Sequence, residues 1–97
     1  MIPVDVEEFI ARRFEAPDRA AALALVKAAT IHDGSVAGPR LIRCALVASG
    51  GSIEKLRGHI EHLKIDYRDV ILAGEYRWSG DSVIRVRNLN KPIEDEA

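Results

Sequence analysis

Histidine is the side chain most ready to hold a metal or move a proton near neutral pH. Two of the three histidines in this 97-residue chain, His59 and His62, stand three residues apart. On a helix that spacing sets them about 60° apart on one flank, with Glu61 between them. A zinc centre takes three or four ligands, and the third histidine, His32, lies in a different segment beside Asp33. The ligand set is incomplete, so neither a metal nor a cofactor is assigned. In the simplest reading His59 flanks an apolar stripe and His62 faces water. Arg68, Glu75 and Tyr76 are the other groups able to line a cleft with these histidines. Arg68 and Glu75 are seven residues apart, which on an unbroken helix puts them on one face. Either they form a structural ion pair bridged by a third residue, or they belong to a binding groove.

The second candidate constellation is cationic. Arg85 and Arg87 alternate with β-branched residues and project from one strand face roughly 7 Å apart. With Arg77 and Lys91, close to Tyr76 and Trp78, they make a candidate basic strip. Cations interleaved with aromatic rings can hold single-stranded nucleic acid. The composition speaks against that use. Aromatic residues are 5% of the chain, and 14 Lys+Arg against 15 Asp+Glu leave a net charge of −1. Strand arginines that discourage edge pairing are the simpler explanation. Gly50-Gly51-Ser52 precedes a helix start with Lys55 and Arg57 nearby. Backbone donors there can hold an anion, but the phosphate-loop pattern is absent, and a turn followed by a cap accounts for all three residues. Cys44 lies in an apolar segment, where burial raises a thiol pKa and makes it inert. No catalytic residue is assigned.

The elements that would position these groups are read from periodicity and caps. Asp5 with Glu8 forms a capping-box pattern, and Val6, Phe9, Ile10 and Phe14 recur at helical spacing, predicting a helix over 6–14. A second helix starts near Pro17 and carries a wide apolar surface from Ala20 to Ala29, closing at Gly34. Pro39 opens a third, which Gly50 ends. Ser52 caps a fourth with the stripe Ile53, Leu56, Ile60 and Leu63. Asp66 caps a fifth, with an Ile65/Val70 staple. Gly58 sits inside the fourth helix opposite its stripe, at ~1 kcal/mol cost relative to alanine. It marks either a close approach or an exposed position without consequence. Ser82 to Leu89 reads as a strand after a Ser79-Gly80 turn. Its partner is Glu75–Trp78, the N-terminal Ile2-Pro3-Val4, or a second chain.

The expected fold is mainly α: a compact bundle of four to five short helices with a short C-terminal β-strand or hairpin, in one domain over 1–92 followed by an acidic tail at 93–97. The apolar fraction of 47% supports a packed core. A single cysteine cannot form an internal disulfide. The N-terminus lacks a basic stretch followed by an apolar one, and no apolar run approaches the ~20 residues of a membrane span. These features predict a cytoplasmic protein without a membrane partner. The segments Arg43-Cys44-Ala45-Leu46, Leu56-Arg57, Ile65-Asp66-Tyr67-Arg68-Asp69-Val70-Ile71 and Ala73-Gly74-Glu75-Tyr76 together resemble a group of small uncharacterised bacterial proteins. That resemblance implies a free-standing bacterial cytosolic protein and carries no activity. The function expected is a non-enzymatic interaction module that pairs with itself as a homodimer, or with another protein. The alternatives are a small ligand binder or enzyme with a cleft near His59, Arg68, Glu75 and Tyr76, and a weak nucleic-acid binder through the basic strip.

Overall fold

The computed structural model describes residues 2–93; the acidic Glu94, Asp95 and Glu96 of the expected tail lie outside them. Four helices precede a hairpin: α1 (Val4–Arg13), α2 (Ala16–Ala28), α3 (Pro39–Ser49), α4 (Ile53–Glu75), β1 (Tyr76–Ser79) and β2 (Ser82–Arg85). The chain is mainly helical with a two-stranded antiparallel sheet. No helix among the described residues is long and apolar enough to cross a membrane.

Local chemistry sets each boundary. Helix α1 begins two residues earlier than its spacing predicts, because Pro3 has a helix-ready φ of −59°. The Pro3 carbonyl accepts from the N–H of Val6 and Glu7. Asp5 is therefore no cap; it lies inside the helix and turns to Arg43. Helix α2 stops at Ala28, short of Gly34. Thr30 and Val36 form a bridge instead, and Gly34 (φ 85°) turns the loop between them. Gly50 closes α3 in the left-handed conformation, as its position predicts.

The expected fourth and fifth helices are two segments of α4 meeting at a kink. Asp66 there has φ −156° and ψ 101°, and its Oδ1 accepts the Arg68 N–H at 3.0 Å. Asp66 thus acts as an internal cap. The staple does not form: Val70 is buried, while Ile65 remains 74% exposed.

The core joins Phe9, Ile10 and Phe14 of α1, Val26 of α2, Leu46 of α3, and Leu56 and Leu63 of α4. Helices α3 and α4 touch backbone to backbone at one glycine. A Cβ on Gly74 would lie 2.6 Å from Cys44 Cα and 2.7 Å from its carbonyl oxygen. Gly58, by contrast, has nothing within 4 Å of the place a Cβ would occupy, so no element among the described residues approaches it there.

The hairpin turn is Gly80-Asp81, one residue beyond the expected Ser79-Gly80, since Ser79 pairs with Ser82. Only its first residue, Gly80, has positive φ (62°), the pattern of a type II′ turn. Strand β2 ends at Arg85 rather than Leu89. Of the three candidate partners, the segment directly after α4 is the one it pairs with.

Candidate functional site

The base of the hairpin is fixed by one carboxylate. Glu75 is the last residue of α4 and is fully buried. Arg40 of α3 donates to both of its oxygens at 2.9 Å. Arg85 of β2 donates to Oε1 at 3.1 Å, and the Leu89 N–H donates to Oε2 at 3.0 Å. The Cys44 thiol donates to Oε2 at 3.8 Å. The Glu75 carbonyl accepts the N–H of Val86 at 2.7 Å and of Arg87 at 3.3 Å. Hydrogen bonds from Arg40 outweigh desolvation and hold the Glu75 pKa down at about 2. Burial, reinforced by the Glu75 charge, pushes the Cys44 thiol up to about 12. Cys44 is therefore a protonated core residue, as its apolar setting predicts.

A second buried pair lies nearby. Arg43, inside the apolar α3, donates to both Asp5 oxygens at 2.9 and 3.0 Å. Asp5 also accepts the Ile93 N–H at 3.0 Å. These two clusters clamp the segment after β2 against the helices. Every buried side-chain nitrogen and oxygen among the described residues has a hydrogen-bond partner.

Above this base the hairpin exposes apolar surface. Trp78 pairs with Val83 and Arg77 with Ile84. Directly opposed residues share a face, and successive residues alternate. Tyr76, Trp78 and Val83 therefore lie on one face, Arg77 and Ile84 on the other. Trp78 is 73% exposed, Val83 41% and Ile84 40%. No third strand covers either edge among the described residues.

The sequence candidates separate into four places. His59 and His62 do share a cleft of about 500 Å³ with Lys55, Gly58, Asp69 and Val70. His62 Nε2 lies 2.8 Å from Asp69 Oδ2, across the kink. Partial burial, with His62 and Lys55 nearby, holds His59 below the ordinary imidazole value. Arg68 is turned to Asp66, at 3.0 Å, on the exposed side of the kink. Glu75 is in the buried cluster and pairs with Arg40 and Arg85 rather than Arg68. Tyr76 is half-buried in β1 opposite Arg85. The single cleft near His59, Arg68, Glu75 and Tyr76 does not assemble: the Asp66 kink separates His59 from the other three, Arg68 turns back to Asp66, and Glu75 turns to Arg40 and Arg85. No group of three or more metal-ligating side chains occurs among the described residues.

The basic strip is likewise divided. Arg85 turns inward to Glu75 and Asn88, and Arg87 Nη1 donates to the Gly74 carbonyl at 2.8 Å. Arg77 lies on the opposite face of the hairpin from Arg85. Lys91 shares a cleft with Arg87, away from Trp78.

Arg40 and Arg43 escaped the sequence reading. Their signal was present: two cations in an otherwise apolar helix require buried acceptors or a route to water. With the geometry in hand, comparison with family models, curated proteins and solved structures gives no match. Function is therefore argued from these side chains alone.

Proposed function

We propose that the chain is a small non-enzymatic interaction module that self-associates through the Trp78 face of its hairpin. The observation that carries this reading is Trp78, 73% exposed and paired across the strands with Val83. Aromatic anchors on exposed surface are the residue type that dominates protein interfaces. A hairpin face is self-complementary about a two-fold axis, which lets two copies cover the same patch reciprocally. Burying a tryptophan removes ~150–250 Å² from water, worth roughly 4–6 kcal/mol at ~25 cal/mol per Å². Association costs absorb much of that, so the dimer is expected to be weak and concentration-dependent. The free, buried Cys44 suits a reducing, cytoplasmic setting.

Trp78 is the only tryptophan of the chain, so its fluorescence reports on the proposed contact directly. Sedimentation velocity should give a rising mean mass with concentration, accompanied by a blue shift of the emission. Trp78→Ser should remain monomeric with unchanged helicity. A wild-type chain that stays monomeric, with water-exposed emission at the highest concentration reached, refutes the proposal.

A second reading rests on the cleft holding His59, His62 and Asp69. Asp69 engages Nε2 of His62, which leaves Nδ1 available to a small polar molecule. Histidine resonances that respond to no small molecule, in a screen where Trp78 responds to concentration, would leave the interaction module as the better account.

A further inference from the structure

A second cleft, of about 330 Å³, lies between α1, the C-terminal end of α3 and the segment after β2. Its lining divides by chemistry. Phe9, Val47, Leu89 and Ile93 supply apolar wall, while Arg13 and Lys91 supply positive charge; Arg87 also lines the cleft, its Nη1 committed to the Gly74 carbonyl. Among the described residues no carboxylate lines it. The geometry points to a binding site for a small amphipathic carboxylate.

Two of the cations are held in place. The Arg13 guanidinium lies over the Phe9 ring, 5.6 Å from its centroid, and the Gly74 carbonyl anchors Arg87. Two acids bond to lining amides: Asp5 to the Ile93 N–H, with both oxygens engaged by Arg43, and Glu75 to the Leu89 N–H, with both oxygens engaged by Arg40. Both charges are therefore met by arginines outside the lining.

The same groups set the orientation of the ligand. The carboxylate belongs with the Arg13 and Lys91 cations, and the hydrocarbon tail with the Phe9, Val47, Leu89 and Ile93 wall. The volume falls at the lower end of the roughly 300–1,000 Å³ of small-molecule sites, which suits an alkyl chain of roughly six to eight carbons. Apolar walls fix the tail, and charge selects the head group. Neutral and cationic chains of equal length should therefore bind less well.

The test is titration of the ¹⁵N-labelled full chain with octanoate, 1-octanol, octylammonium and inorganic phosphate, read from the Val47, Val86, Leu89 and Ile93 amides. Octanoate should shift these amides saturably, with Kd on the order of 1 mM or below. The alcohol, the ammonium and phosphate should each bind at least tenfold more weakly. Lys91→Glu combined with Arg13→Gln should weaken octanoate at least tenfold while leaving the remaining amides in place. Equal shifts from octanol or phosphate, or shifts scattered over the molecule, would overturn the assignment. Anionic phospholipid vesicles perturbing these amides where free octanoate does not would also overturn it, in favour of a membrane surface.

Discussion

Replacing Glu75 by glutamine keeps the shape of the side chain and removes its charge. The folded carboxyl sits at about 2 against an ordinary value of 4.5. At ~1.4 kcal/mol per pH unit, that depression contributes about 3 kcal/mol to stability at neutral pH. The carboxylate is fully buried, but its partners Arg40 and Arg85 are 35% and 40% exposed, so solvent screening makes the figure an upper bound. Because the folded pKa is lowered, the contribution is complete above pH 4.5. It falls away as acid carries the pH from 4.5 down to about 2. Glu75→Gln should therefore be up to about 3 kcal/mol less stable than wild type at pH 7, which for a domain of this size lowers Tm by at most roughly 12–24 °C. The gap should close progressively below pH 4.5. Asp5 is also lowered below its ordinary value, but it titrates in both proteins, so the difference between their stability curves isolates Glu75. Urea denaturation followed by circular dichroism at half-unit steps from pH 2 to 7 measures this. A gap that stays constant across the range would refute the reasoning, since the loss would then come from packing rather than charge. A gap near zero at pH 7 would mean that desolvation cancels the Arg40 and Arg85 bonds.

The two helical glycines should respond in opposite directions. Gly74→Ala forces a Cβ to within 2.6 Å of the Cys44 backbone and should destabilise by about 1–3 kcal/mol, read from the urea midpoint. Gly58→Ala meets nothing within 4 Å among the described residues and should stabilise by up to ~1 kcal/mol; destabilisation would show that something beyond the described residues packs there. The Cys44 thiol, raised to about 12, should react with an aromatic disulfide only through unfolding. Its labelling rate should be slow from pH 7 to 9 and accelerate in Glu75→Gln in step with the loss of stability. Rapid labelling of the native wild type would contradict the buried, protonated thiol.

Features set by neighbours in sequence were readable; those set by distant partners were not. Pro39 and Gly50 bound α3 where expected, because a proline that fits the first turn and a glycine that tolerates positive φ act locally. Asp66 was readable as a cap for the same reason, its carboxylate meeting an N–H two residues away. Asp5 carries a similar local signal, yet Arg43, 38 residues distant, outcompetes the capping geometry. Gly58 and Gly74 look alike as glycines in one helix, and only the path of α3 distinguishes them. Among the candidate site residues, His59 and His62 stayed together because they share one helical segment. Glu75 and Arg68 share the unbroken segment after Asp66 yet take different partners, Arg68 turning to Asp66 beside it. The ion pair that Glu75 formed instead reaches Arg40, 35 residues away.

The buried charge cluster and the exposed hairpin depend on one another. An isolated two-stranded hairpin is at best marginally stable in water, and this one exposes residues on both faces. Its anchoring contacts gather at its base. The Glu75 carbonyl holds Val86 and Arg87, and the Glu75 carboxylate holds Arg85 and Leu89. A lone apolar side chain in those carboxylate contacts would leave Arg40, Arg85 and the Leu89 N–H without their acceptor. The charge is thus the means by which four short helices hold a projecting strand pair in one orientation. A fixed orientation lowers the ordering cost of presenting Trp78 to a partner. This dependence gives a buried glutamate in a small domain a physical role in the proposed interaction, although it touches no partner itself.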